Sequence, residues 1–449
     1  MKIALIAMSG VRAYNEELTA LGMTMPGFME RGEVIASLPS LSLLTVAGMT
    51  PKRFEVEYHQ VPDIKKLDRL PDCDLAAIST FTAQVKDAYT LASRYRQAGV
   101  KTVIGGHHAT AMPHEAIRHC DAVVVGEAEL TWPRVLEDFQ NGCLGGIYRA
   151  DGQEFDLADS PLPRFDLLNP DEYNRITVQT QRGCPWRCNF CASSIMMTKR
   201  YKLKPVENVM REIRAIKEIW PRPFIEFADD NSFVNRAHSK KLLRALADED
   251  VKWFTETDVA VADDPELLDL MRQSGCAEVL IGFESPTAGS LDGVELNNNW
   301  KRKRLDDYRE AIQRIQSHGI AVNGCFLLGM DGDTEECFPA VRDFVEDSGL
   351  CEVQITVMTP FPGTPLYSRL LGDGRLLDDT AWEKCTLFDV NFQPQHMSIE
   401  ALQRGLVGLA TELYTPEAKA NRRNAFRGHI RGARGTWSKE ATACLAEVA

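Results

Sequence analysis

Three cysteines in one short stretch are the strongest chemical signal in the chain. Residues 181–191 read QRGCPWRCNFC, which puts Cys184, Cys188 and Cys191 in a CxxxCxxC spacing directly after the apolar, β-prone run 176–180. Three thiols at a strand end form a soft donor set, and thiolates select zinc, copper(I) or iron–sulfur clusters. A closed structural zinc site takes four protein ligands, and no fourth Cys or His stands at a compatible local spacing. Three ligands leave a four-iron four-sulfur cluster with one open iron. A structural zinc loop or chance spacing is the plainer reading of the same triplet. The chain has twelve cysteines, and in a long sequence without a signal-peptide pattern these point to reduced thiols and a metal rather than to a disulfide framework. The other nine show no second CxxC or CxxxC grouping, so no auxiliary cluster is expected and they read as small buried hydrophobes.

Other candidates are polar residues placed where strands end. After the cysteines, strand signals at 224–227, 253–257, 278–283, 320–328 and 352–358 alternate with helical periodicity, including one helix set between Asp264-Pro265 and Gly275. With the strand before the cysteines these make six βα units, which fits a partial (β/α)6 barrel better than an open sheet. Barrel chemistry sits at the carboxyl ends of the strands. There the sequence places Asp229, Asp230 and Asn231, then Thr255, Glu256 and Asp258, then Glu284 and Ser285, and finally the stretch 360–364. Glu284 could take a ribose diol, because a carboxylate is a bidentate acceptor; its bland alternative is a surface acid. For Asp229 and Asp230 the alternative is a helix N-cap.

The first 145 residues also alternate strand and helix signals, with strands at 2–7, 54–59, 75–79, 102–104 and 122–125 and a helix at 85–95 before Gly99. Short continuous apolar strands of this kind are buried on both faces of a parallel sheet, so a doubly wound, Rossmann-like α/β domain is predicted. Its later strands run into Ser79 and Thr80, then Gly105, Gly106, His107 and His108, then Gly126, Glu127 and Glu129. Loops in those places hold ligands in such sheets. A histidine in a glycine-rich loop is equally often a turn residue.

The cysteine loop resembles the cluster motif of the radical S-adenosylmethionine (SAM) superfamily, in which an aromatic residue, here Phe190, precedes the third cysteine. The segments IGFES (281–285) and FPGTPLY (361–367) resemble those of cobalamin-linked members, and the N-terminal loops with LPSLSLLTVAGMTP (38–51) resemble the cobalamin-binding domain found in front of many of them. The resemblance implies a 4Fe-4S cluster on Cys184, Cys188 and Cys191, and SAM contacts from Phe190, Asp229, Glu284 and Ser285. It also implies cobalamin held by Ser79, Gly105, Gly106, His108, Gly126 and Glu127. Two departures stand out. The DxHxxG motif is missing, since Glu57, Tyr58 and His59 imitate its first half but Pro62 stands where the glycine belongs. Asp258 stands where relatives often carry arginine.

The resulting layout is a cobalamin-binding domain at 1–145, a linker at 146–172, a radical SAM core at 173–370 and a C-terminal helical region at 371–449. That last region holds an amphipathic helix at 397–413 and a run of Arg422, Arg423, Arg427, Arg431 and Arg434, which is either a solvated helix face or an anion site. The resemblance implies radical hydrogen abstraction from a small-molecule substrate, most often for C-methylation, with a flavodoxin or ferredoxin as electron donor. The alternatives are a non-methylating rearrangement, cyclisation or diol dehydration, and a non-catalytic cobalamin or metal sensor. A net charge of −13 argues against nucleic acid as a partner. No apolar run approaches the roughly 18 residues of a membrane span, so a soluble, cytoplasmic protein is expected.

Overall fold

The computed structural model describes residues 1–11, 13–21, 38–193 and 200–433. It divides into two compact units. Among the described residues, the first comprises 1–11, 13–21, 38–193, 200–221 and 359–393, and the second 222–358 and 394–433. These units cut across the linear layout, because residues 359–393 return to the first unit after the second has begun.

The first unit is built on six parallel strands, β1 (Lys2–Met8), β2 (Glu55–Val61), β3 (Leu75–Ser79), β4 (Lys101–Gly105), β5 (Ala122–Val124) and β6 (Gly146–Tyr148). They lie in the order β2-β1-β3-β4-β5-β6, a doubly wound sheet whose order reverses between β1 and β3. Its apolar strands are buried on both faces. Ile3, Leu5, Leu75 and Val103 pack with Trp132 and Leu136 on one side, and Ala4, Ile6, Ile78 and Ile104 pack with Tyr89, Tyr95 and Trp382 on the other. Residues 146–148, expected to open a linker, instead form the edge strand β6. A three-residue strand led by glycine is too short to show a period of its own.

Trp382 belongs to the returning segment, yet it is a core residue of this sheet. Its indole Nε1 donates to Glu115 Oε1 at 3.1 Å, and Tyr89 Oη donates to the same oxygen at 3.0 Å. Asp389, from the same segment, accepts the backbone N–H groups of Tyr14 and Asn15 at 2.9–3.0 Å.

Three further strands of the first unit flank the cysteines: β7 (Ile176–Val178), β8 (Gln181–Arg182) and β9 (Lys202–Leu203). β8 and β9 pair antiparallel, Gln181 with Leu203 and Arg182 with Lys202. The helix that follows spans Val206–Ile219 and buries Val206, Val209, Met210, Ile213 and Ile216, with Pro205 at the N-cap.

In the second unit, β10 (Phe224–Phe227), β11 (Lys252–Thr257), β12 (Cys276–Glu284), β13 (Ala321–Leu328) and β14 (Glu352–Val357) run parallel, side by side and in sequence order. Side-by-side partners in a parallel pair share a face. One face therefore carries Ile225, Phe227, Trp253, Val279, Ile281, Val322, Val353 and Ile355. The other carries Glu226, Glu256, Glu278, Asn323, Glu352 and Gln354. Amphipathic helices at Arg236–Leu246, Pro265–Gln273, Tyr308–Ser317 and Cys337–Asp347 connect these strands. As expected, Asp264 caps the second of them, accepting from Leu267 N–H at 3.1 Å, and Gly275 follows its end with φ +92°. The C-terminal helices span Ile399–Leu413 and Pro416–Ala433. No described helix is long and apolar enough to cross a membrane.

Candidate functional site

In the first unit the cysteine loop leaves β8 and returns at β9. Cys188 is buried, Cys184 and Cys191 are partly exposed, and none is in a disulfide. A turn closes the CxxC half, with Cys191 N–H donating to the Cys188 carbonyl at 3.1 Å. Two contacts hold the loop from outside. Leu366 N–H donates to the Asn189 carbonyl at 3.0 Å, which puts the FPGTPLY segment against the loop; Thr364 caps the helix beginning at Pro365 and fixes that segment in turn. Phe190 is partly buried within the same turn.

Among the described residues no three Cys, His, Asp or Glu side chains gather closely enough to hold a single metal ion. The donor set is three thiols on one loop, of which two are accessible. It suits a polynuclear iron–sulfur group, in which each thiolate binds a different iron.

The loops after β3, β4 and β5 sit at the carboxyl edge of the first sheet, beside the reversal of strand order. Thr80 N–H donates to the Gly105 carbonyl at 3.2 Å, and Gly126 N–H donates to Thr110 Oγ1 at 3.0 Å. Gly106 has φ +106°, and a Cβ there would stand 2.5 Å from the Thr80 carbonyl oxygen. That backbone region is open essentially to glycine alone, at a cost on the order of 1–3 kcal/mol for another residue. Gly106→Ala is therefore expected to lower stability by about 2 kcal/mol or more once the contact is added. A denaturant midpoint equal to that of the unsubstituted chain would show that the loop relaxes freely.

Ser79 ends β3, and Gly126 has φ +76° with open space around it. Phe81 is 51% exposed, with its ring stacked on His107 at 6.0 Å between centroids. An apolar ring left in the open beside the reversal point suits a large, partly apolar planar ligand such as a corrin. Sequence reading passed over Phe81, although an aromatic residue directly after a polar strand end is a usable signal.

His108 lies elsewhere. Its side chain is fully buried, with Nε2 3.3 Å from Glu115 Oε1 and its ring edge-on to Trp382 at 5.0 Å. That position serves the core and presents no surface to a ligand. Glu115 ties His108, Tyr89 and Trp382 together. Burial opposes its ionisation, but hydrogen bonds from His108, Tyr89 and Trp382 outweigh that and hold its carboxyl below the ordinary range.

Glu127 is also committed within the protein. Both its oxygens accept from Lys202 Nζ, at 2.9 and 3.0 Å; Oε1 also takes Arg182 Nη1 at 2.7 Å, and Oε2 takes Phe155 N–H at 3.1 Å. Burial raises its pKa, yet these bonds to Lys202, Phe155 and Arg182 prevail and keep it ionised below the usual carboxylate range.

In the second unit Glu284 ends β12 in the left-handed region, φ +63°, just past an irregularity in the β12–β13 register. A non-glycine residue there is unusual and marks a side chain aimed by its surroundings. Lys301 does the aiming. Its Nζ lies 2.9 Å from Glu284 Oε1 and donates to the Gly282 carbonyl at 2.6 Å. Ser285 is buried beside it, with Oγ accepting from Thr287 N–H at 3.1 Å.

Asp229, also buried, accepts from Ser232 Oγ at 3.0 Å and does not cap a helix; Asn235 caps the next one. Asp258 is held reciprocally by Asn231, whose Nδ2 donates to it at 2.8 Å and whose Oδ1 accepts its N–H at 3.1 Å. This acid thus has a local role. In the arginine run, Arg422 is buried and donates to the Leu413 carbonyl at 2.7 Å, and Arg423 donates to Glu352 at 3.2 Å. These two arginines brace the fold, while Arg434 lies outside the described residues.

Two family models match these two regions in order: a B12-binding domain over residues 32–136 and the radical SAM superfamily over residues 178–345. The chain thus carries a B12-binding domain followed by a radical SAM domain. A third model, a domain of unknown function (DUF4070), matches residues 364–448. Among curated relatives, bacteriochlorophyllide d C-12(1)-methyltransferase of Chlorobaculum tepidum is 29% identical over 392 residues, covering 85% of this chain and 84% of that one. Hopanoid C-2 methylase of Rhodopseudomonas palustris is 25% identical, covering 87% and 74%. Among solved structures, the radical SAM methyltransferase TsrM of Kitasatospora setae, with cobalamin and a 4Fe-4S cluster bound, covers 97% of this chain at 15% identity with a TM-score of 0.65. That last likeness supports the fold.

Proposed function

We propose that this radical SAM protein is a cobalamin-dependent C-methyltransferase acting on a small molecule. The observation that carries the reading is the joining, in one chain, of a three-thiol loop to a doubly wound sheet with a B12-type loop edge. The curated relatives named above, both methyltransferases, support it. When bound, the cluster and SAM supply one-electron chemistry that generates a carbon radical, and cobalamin supplies the methyl group that such a carbon cannot take from SAM by polar attack. The protein's own part is to bind, orient and exclude water.

Cys184, Cys188 and Cys191 hold the cluster, with Phe190 packed in the same turn. Ser79, Gly105, Gly106 and Gly126, with Phe81, form the cobalamin edge. Glu284 meets the ribose or methionyl part of SAM, with Asp229 and Ser285 near strand ends of the same sheet. A flavodoxin or ferredoxin supplies the electron. Turnover of anaerobically loaded protein, with and without cobalamin, tests the reading: methylated product should appear only when cobalamin is present.

Glu284 can be tested apart from turnover. Glu284→Gln keeps the shape of the side chain and removes the charge that Lys301 orients. Iron content should stay unchanged while SAM binding weakens by about 1–3 kcal/mol, the usual loss for a charged hydrogen-bonding partner. Equal SAM affinity in equilibrium dialysis of the iron-loaded proteins would take Glu284 out of the site.

A further inference from the structure

The cysteine loop departs from β8 at Arg182 and returns to β9 at Lys202, and these two residues face each other in the ladder. Two pairs of residues make a very short ladder, and short two-stranded pairings are marginal on their own. Both cations, however, end on the carboxylate of Glu127, in the loop after β5.

Arg182 is bound through every nitrogen of its guanidinium. Nη1 reaches Glu127 at 2.7 Å, Nη2 reaches Glu129 at 2.8 Å, and Nε reaches Gln179 Oε1 at 3.1 Å. A planar fork engaged on three sides has one orientation. Lys202 Nζ adds the Phe155 carbonyl at 2.9 Å to its two bonds with Glu127. Two carboxylates balance two cations in a largely buried setting, with side-chain exposures of 8–18%. Removing one carboxylate there leaves a cation uncompensated. Two residues past Lys202, Lys204 pairs with the fully buried Glu212 at 2.8 Å and fixes the outgoing arm to the helix Val206–Ile219.

We infer that Glu127, assisted by Glu129, is a positioning residue for the iron–sulfur cluster: it locks both stems of the cysteine loop to the loop after β5 of the B12-type sheet. The inference rests on the reading of the three cysteines as cluster ligands. Since both its oxygens are occupied, Glu127 acts through Arg182 and Lys202 and needs no contact with a cofactor.

The test uses the full chain, loaded anaerobically with iron, sulfide and hydroxocobalamin, as wild type, Glu127→Gln, Glu127→Asp and Glu129→Gln. Three quantities are read: the rate of iron loss to a ferrous chelator, the electron paramagnetic resonance spectrum of the reduced cluster, and cobalamin retained after desalting. Glu127→Gln should lose iron about tenfold faster, as is usual when a group supporting a metal ligand is removed, with a changed spectrum and unchanged cobalamin. Glu127→Asp should fall between it and wild type. Glu129→Gln, which spares Lys202, should show a smaller effect and serves if Glu127→Gln does not fold. Iron loss at the wild-type rate in Glu127→Gln, or in Glu129→Gln if that variant has to stand in, overturns the inference. Loss of cobalamin with iron retained overturns it too, and makes Glu127 a cobalamin residue. A wild-type chain that takes up no iron removes the cluster reading itself, and is told apart by the absence of the signal before any substitution.

Discussion

Loaded anaerobically with iron and sulfide, the chain is expected to hold about four irons, the content of one 4Fe-4S cluster, and the triple variant Cys184→Ala, Cys188→Ala, Cys191→Ala almost none. The three thiols share one loop whose base is tied by Glu127 and whose turn is tied by Leu366. Of the remaining described cysteines, Cys143 is exposed rather than the buried hydrophobe expected and joins no group of metal-ligating side chains, and the other seven are poor ligands. Burial is the main cause that pushes the thiols of Cys73 to about 11 and of Cys120, Cys351 and Cys385 to about 12, and it raises Cys276, Cys325 and Cys337 as well. These thiols sit singly in apolar packing and join no group of metal-ligating side chains among the described residues, so they offer iron no converging donors. About eight irons per chain, or one tightly held zinc, would contradict this assignment.

The second large effect concerns the products of SAM. A C-methyltransferase of the proposed kind consumes two SAM molecules per turnover, one as methyl source and one as radical source. S-Adenosylhomocysteine and 5′-deoxyadenosine should therefore accumulate in equal amounts, each matching the methylated product. Cobalamin-free protein should form no methylated product. A rearranging, cyclising or dehydrating enzyme would give 5′-deoxyadenosine, or return SAM, without coupled S-adenosylhomocysteine. Undiminished turnover without cobalamin would put that reading first. Quantitation of both nucleosides by liquid chromatography decides between them.

The cysteine loop was legible in sequence because ligand chemistry restricts both residue type and spacing. Apart from the edge strand β6, the strands of both sheets were legible because a buried parallel strand must be a short apolar run, as LIAM in β1 and VLIGF in β12 show. The Asp264 cap and Gly275 were legible because each meets a backbone need that few residues meet. What stayed hidden depends on contacts distant in sequence. Glu127 read as a ligand-loop acid because its partners Arg182 and Lys202 lie 55 and 75 residues away. His108 read as a loop histidine because nothing nearby announces that Trp382, far along the chain, covers it. The left-handed backbone of Glu284 goes with contacts to Lys301, distant in sequence, which also binds the Gly282 carbonyl.

The placement of Trp382 and Asp389 in the first unit has a consequence for synthesis. A chain emerging from the ribosome forms β1 to β6 well before residues 359–393 exist, and domains fold as they emerge, N-terminal first. Until the last segment arrives, Glu115 lacks its indole partner, the core beside Tyr89 is open, and the backbone at Tyr14 and Asn15 is uncapped. Until then the apolar surface that Trp382 covers in the finished unit is exposed to water. A fragment cut before residue 359 keeps every strand of that sheet but fixes the unit in this unfinished state.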